Sequence, residues 1–156
     1  MGIVIIGMLF IGFFLDDFPV AQKAFVYTIH KSTGLLLMVL VIIRLAMRFT
    51  SSYPPLPDST PKIVVHIAKW NVFGLYLMMI LMPLSGFLMS SFSGHPVPFY
   101  GLFTIESFTQ DKLVAGLSHE FHEIGGYIFA LLIAGHILGG LFHHFVLKDG
   151  VLKRII

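Results

Sequence analysis

The sequence predicts an all-α membrane protein, a four-transmembrane-helix bundle in a single domain of residues 1–156. Hydrophobic residues make up 56% of the chain and charged residues only 12%, and the mean hydropathy is +0.90. Soluble domains carry charge at about 25% of their positions, so most of this surface must be solvated by lipid. The chain also contains four apolar segments, at about residues 1–15, 25–47, 70–92 and 122–147.

The four segments differ in length. Segments two to four have the ~20 residues that a hydrocarbon core of ~30 Å requires. The first segment ends at Asp16 and Asp17, and its fifteen residues reach only about 22 Å. We therefore expect the first helix to be truncated here and longer in the natural protein. A cleaved signal peptide is the alternative, but no basic region precedes the run and no small-residue cleavage pattern follows it.

Lysine and arginine counts predict the orientation in the membrane. Basic residues concentrate between segments two and three and in the C-terminal tail, whereas acidic residues dilute the lysines on the other side. The positive-inside rule then places the N-terminus and the C-terminus in the cytoplasm of a bacterium. We expect a multi-pass protein of the inner membrane. The loop of about residues 93–118 has room for a short interfacial helix over the bundle.

The absence of cysteine and the abundance of histidine limit the possible chemistry. With no cysteine, the chain has no disulfides, zinc-thiolate sites, iron–sulfur clusters or covalent c-type haem. Eight histidines are many for so apolar a chain, and neutral imidazole is a good ligand for iron, copper and zinc. The formal net charge of +2 does not indicate nucleic-acid binding.

Three histidines have a spacing suited to axial ligands. His30 near the start of segment two and His122 at the start of segment four are expected at the same membrane depth, where they can bind one metal from two sides. His136 lies within about 40° of the same helix face, roughly 21 Å further along, as expected for a second stacked macrocycle. A zinc site is less favoured because it needs three or four ligands at one depth.

Other residues near these histidines allow two interpretations. Arg44 lies 14 residues beyond His30, the same spacing that separates His136 from His122. Its side chain either pairs with haem propionates or extends to the interface. Glycines beside the histidines, such as Gly34 and Gly126, allow the close approach of either a flat macrocycle or a neighbouring helix.

The sequence resembles the bacterial cytochrome b561 family of di-haem membrane proteins over nearly its whole length. The resemblance rests on "IHKSTGLLLMVLVIIRL", "LYLMMILMPLSGFLM", "GHPVPFYGLFTI" and the pair "HE" followed by His136 and "LFHHFVLKDG". It implies haem b as cofactor, with His30 and His122 as the axial ligands of one haem and His136 as one ligand of a second. The family's remaining ligand is a histidine near the start of helix one. No histidine precedes His30 here, so we expect that ligand upstream of Met1, and only one bis-histidine site is complete.

The resemblance also implies a function. Family members pass electrons between a periplasmic donor and quinone, and one branch resembles a superoxide oxidase that reduces ubiquinone. The leading hypothesis is therefore a superoxide:ubiquinone oxidoreductase. The alternative is a non-catalytic cytochrome b subunit that carries electrons for a membrane dehydrogenase or hydrogenase. His143 and His144 are candidates for the quinone site, although a pair at this depth also suits interfacial anchoring.

Overall fold

The computed structural model describes residues 1–51 and 60–148 and confirms the all-helical membrane class. The four helices are α1 (Gly2–Phe13), α2 (Val20–Thr50), α3 (Lys62–Phe92) and α4 (Lys112–Phe142). A 3₁₀ turn, Leu15–Asp17, follows α1, and a π-helical turn, His143–Leu147, follows α4. Lys153 and Arg154, which contributed to the predicted orientation, lie outside the described residues.

Three of these helices are long and apolar enough to cross a membrane, namely α2, α3 and the continuous stretch Lys112–Leu147. The helix α1 is apolar but shorter. All three long helices begin before the apolar segments from which they were predicted. At α4 the reason is the Asp111 side chain, whose Oδ1 accepts hydrogen bonds from the backbone N–H groups of Leu113 (2.9 Å) and Val114 (3.1 Å). A capped polar first turn extends the helix beyond its apolar part.

A β-hairpin occupies the connection between α3 and α4, where the sequence left room for an interfacial helix. Strand β1 (Val97–Phe99) pairs antiparallel with β2 (Phe103–Ile105). Two successive turn residues, Tyr100 (φ 49°) and Gly101 (φ 77°), have positive φ. That left-handed pair reverses the chain too sharply for a helix, so the expectation of an interfacial helix was wrong.

The hairpin is attached to α2 directly after His30. The fully buried Ser32 hydroxyl donates to the Pro98 carbonyl (2.9 Å) and accepts from the Tyr100 N–H (3.0 Å). Thr33 Oγ1 lies 2.7 Å from the Tyr100 hydroxyl. The hairpin therefore covers the bundle at the level of His30.

A small core connects the four helices. It consists of buried Ile5 from α1, Leu37 from α2, Met78 and Met82 from α3, and Phe129 from α4. Many other apolar side chains point outward, as expected for helices whose outer faces contact hydrocarbon. The core lies on the inner sides of the helices, next to the cavity described below.

Candidate functional site

A cavity of about 410 Å³ opens between the four helices. This volume is within the ~300–1,000 Å³ typical of small-molecule and cofactor sites. Each helix contributes one glycine to the wall: Gly12, Gly34, Gly86 and Gly126. Both His30 and His122 also line it. The cavity therefore combines two histidine side chains with one glycine from each helix.

The two histidines face each other. The centres of the His30 and His122 rings are 6.3 Å apart, and the ring planes cross at 81°. A metal–imidazole bond is roughly 2.0–2.1 Å long and the ring centre lies about 1.1 Å further on, so ligands on opposite sides of one metal have centres about 6.2–6.4 Å apart. The observed separation suits two axial ligands.

The orientation of the His122 ring is fixed by α3. His122 Nδ1 lies 3.0 Å from the Met82 carbonyl oxygen and 3.0 Å from Ser85 Oγ. Because a carbonyl only accepts, Nδ1 carries the proton and donates, and Nε2 keeps the lone pair that binds a metal. A Cβ on Gly86 would lie only 2.9 Å from His122 Cε1. Only glycine leaves room for the ring at this position.

His30 has a different environment. Its Nδ1 is buried and has no hydrogen-bond partner among the described residues. A Cβ on Gly12 would lie 3.4 Å from His30 Cε1. Buried polar atoms nearly always have a partner, so His30 differs from His122 in its hydrogen bonding.

Charged side chains surround one part of the cavity. Lys31 and His119 are on its wall together with the acidic Asp16 and Glu123. Lys31 Nζ donates to the Pro96 carbonyl (3.4 Å), and Lys23 lies 3.9 Å from Asp16. The opening therefore carries both signs of charge. Over residues 1–51 and 60–148, no three histidine or acidic side chains converge on a metal position.

His136 and Arg44 lie outside this cavity. His136 is on an exposed face of α4. The exposed Arg44 guanidinium lies 6.0 Å from the centre of the Tyr76 ring on α3. The structure thus brings two of the three predicted ligands together and leaves the third apart.

The two adjacent histidines of the π-helical turn, His143 and His144, differ in their exposure. His143 is buried, at 5% exposure, and its ring lies against that of Phe142. His144 is exposed and contacts the Phe145 ring. Neither lines the cavity. Of the two, only His143 is sheltered from the surroundings.

The sequence interpretation missed the contribution of α3. Met82, Ser85 and Gly86 form the surface on which His122 rests. These residues stand in the sequence as "MPLSG", residues 82–86, but glycine, serine and proline are common in membrane helices and do not by themselves indicate a ligand support.

Comparison with known proteins shows the family to which the chain belongs. The family model described as prokaryotic cytochrome b561 matches residues 1–156. The chain is 33% identical to cytochrome b561 homolog 2 of Escherichia coli (strain K12) over 133 residues, covering 82% of this chain and 69% of that protein. Identity to cytochrome b561 homolog 1 of the same organism is 28% over 127 residues, which cover 81% of this chain and 72% of the relative.

A third relative carries a functional name. The chain is 27% identical over 141 residues to a probable superoxide oxidase of Yersinia pestis, covering 88% of this chain and 78% of that protein. The family model matches the chain from residue 1 to residue 156, and the facing histidines and membrane-length helices agree with that match. The chain is therefore a haem electron-transfer membrane protein of the prokaryotic cytochrome b561 family.

Proposed function

We propose that His30 and His122 are the axial ligands of one haem b, and that this chain passes electrons between superoxide in the periplasm and ubiquinone in the membrane. The observation that carries the proposal is the pair of facing imidazole rings, 6.3 Å apart, across a cavity between the helices. Haem iron with two histidine ligands supplies reversible one-electron transfer.

The residues of the cavity fit a flat macrocycle. One glycine per helix leaves the walls free of side chains at Gly12, Gly34, Gly86 and Gly126. His122 keeps its metal-binding nitrogen free because Nδ1 donates to α3. These features support cofactor binding better than plain helix packing, which leaves no cavity.

In this proposal the hairpin side of the bundle faces the periplasm, and both termini face the cytoplasm, as the basic residues indicate. Superoxide is an anion, so positive charge at the cavity opening raises its rate of encounter. Lys31 and His119 supply positive or titratable groups there, while Asp16 and Glu123 oppose them. The similarity to a probable superoxide oxidase supports this choice of donor.

We assign the cytoplasmic side of the bundle to ubiquinone, with His143 and His144 as candidate contacts. Two superoxide ions each lose one electron to become dioxygen, while one ubiquinone gains two electrons and two protons to become ubiquinol. Histidine suits the proton delivery because its pKa lies near physiological pH in water. His136 would be one ligand of a second haem between the two ends, with Arg44 near its propionates.

The ligand assignment is tested by haem content. We expect His30→Ala and His122→Ala each to remove one haem per chain in a pyridine haemochrome assay. His66→Ala is the matched control because His66 is exposed and, among the described residues, its ring bonds to the Lys62 carbonyl of its own helix. An unchanged haem content and spectrum in both ligand variants would refute the assignment.

The reaction is tested with pulsed superoxide. We expect the purified oxidised protein to be reduced within the pulse and, with ubiquinone present, to form one quinol for every two superoxide ions consumed. A protein that binds haem but is not reduced by superoxide would exclude the enzymatic proposal. It would leave the electron-carrier role of the family intact.

A further inference from the structure

We propose that Ser85 is a positioning residue for His122, and that its hydroxyl fixes the imidazole plane and lowers the reduction potential of the metal centre bound there. The inference rests on the proposed role of His122 as an axial ligand. Ser85 belongs to α3 and His122 to α4, so the contact joins two helices at the cavity wall.

The Ser85 hydroxyl contacts both the Met82 carbonyl and the His122 ring. The Ser85 side chain is buried, at 6% exposure, and Oγ lies 2.9 Å from the Met82 carbonyl and 3.0 Å from His122 Nδ1. Since Met82 O only accepts, the Ser85 hydroxyl donates to it and accepts from the His122 N–H with its lone pair. The same imidazole proton therefore faces two acceptors, one carbonyl and one hydroxyl.

This pair of acceptors restricts rotation of the ring. A ring that turned about its Cβ–Cγ bond would lose both Nδ1 contacts, and Gly86 lies so close that a Cβ there would be 2.9 Å from Cε1. The ring plane is thus held at 81° to that of His30. A single carbonyl would leave more freedom, because hydrogen bonds to carbonyl oxygens tolerate a broad range of directions.

The opposite ligand provides an internal contrast. His30 Nδ1 has no partner within the described residues, so the two imidazoles differ in hydrogen bonding although both face the cavity. Partners of the non-coordinating N–H orient a ligand histidine and raise its basicity. A more basic imidazole donates more electron density to the metal, which stabilises the oxidised form. The Ser85 contact therefore lowers the reduction potential.

The experiment uses the full-length haem protein in detergent and four variants. Ser85→Val and Ser85→Thr are nearly the same size and differ by the hydroxyl, and Ser85→Ala removes the hydroxyl without adding bulk. Ser91→Ala is the matched control, because Ser91 is a fully buried serine of α3 whose hydroxyl has no hydrogen-bond partner among the described residues. Redox titration of the haem absorption gives the potential, and electron paramagnetic resonance of the ferric protein reports the angle between the imidazole planes.

We expect Ser85→Ala and Ser85→Val to raise the potential of one haem, to change its largest g value, and to weaken haem retention by roughly 10-fold. Ser85→Thr should keep the original values, and Ser91→Ala should match the unmodified protein. If Ser85→Ala does not yield folded protein, the Thr and Val pair makes the same comparison at constant volume. Equal potentials and g values in that pair would overturn the inference.

Failure of this inference is distinguishable from failure of the proposed function. A His122→Ala variant that keeps both its haem content and its spectrum would show that His122 is not a ligand. In contrast, loss of haem in His122→Ala combined with unchanged properties in the Ser85 variants would leave the ligand assignment standing and remove only the role of Ser85.

Discussion

His122 and His136 have similar azimuths on α4 but very different surroundings. His122 faces His30 across a glycine-lined cavity, and its Nδ1 is held by Met82 and Ser85. His136, fourteen positions later, is on an exposed face outside that cavity. Helical spacing therefore identifies histidines that can serve as ligands. The neighbouring helices decide which of them has a prepared site.

The same contrast appears along α2. His30 lies next to the residues that hold the hairpin, Ser32 and Thr33, whereas Arg44 contacts the Tyr76 ring at the other end of the helix. The His30–His122 end thus has a covering hairpin, four glycines and fixed ring orientation. These features raise the rigidity of the site before any cofactor is present, which is the general requirement for a precise metal centre.

We expect the largest effect on the His30–His122 site from adding a side chain at Gly86, one of the four glycines that line the cavity. A side chain at Gly86 must displace the His122 ring, because even a Cβ would lie 2.9 Å from Cε1. We expect Gly86→Leu to abolish haem binding between His30 and His122, as measured by haem per chain. Gly116→Leu is the control, since no atom of the described part of the chain lies within 4 Å of a Cβ there. Normal haem content in Gly86→Leu would show that the cavity is not the haem site.

Detaching the hairpin should have an intermediate effect. Ser32→Ala leaves the Pro98 carbonyl and the Tyr100 N–H without their shared partner. An unsatisfied buried polar group costs about 1–3 kcal/mol, so we expect lower thermal stability and faster amide exchange at Tyr100. Thr28→Ala removes a hydroxyl that, within residues 1–51 and 60–148, bonds the Ala24 carbonyl of its own helix, and it should leave exchange in the hairpin unchanged. Equal exchange in both variants would contradict a clamping role for Ser32.

Much of the fold was predictable because lipid imposes a strong pattern. Long apolar segments predict helices, since an unpaired backbone is costly in hydrocarbon. The pairing of His30 with His122 followed from their matched depths. The hairpin was not predicted, because its turn depends on left-handed φ at Tyr100 and Gly101, and a tyrosine in that conformation gives no signal in the sequence.

The role of α3 could not be predicted from the sequence either. One of the two acceptors of the His122 N–H is the backbone carbonyl of Met82. Because every residue type has such a carbonyl, the sequence does not indicate this contact. Which residues face the cavity depends on how α3 rotates against α4. That rotation is fixed by packing such as the approach of Met82 to Gly125, where a Cβ would lie 2.9 Å from the sulfur.

Charges at the opening should change the rate of superoxide reaction by several-fold. Removing the negative charge in Glu123→Gln should raise the second-order rate constant for haem reduction, and Lys31→Gln should lower it, because both residues line the cavity. Pulse radiolysis at low ionic strength measures the constants, and both differences should shrink at high salt as the charges are screened. Rates that do not respond to either charge would place the encounter with superoxide elsewhere on the protein.

Removing His136 should have the smallest effect on the His30–His122 site. Because His136 lies outside the cavity and its walls, we expect His136→Ala to leave the potential and the ferric resonance of the haem between His30 and His122 unchanged. Any haem lost in this variant would then belong to a separate site, consistent with the proposed second ligand position. If His136→Ala instead removed the resonance that His122→Ala removes, the two histidines would serve one centre. The contrast between the two ends of α4 would then be incorrect.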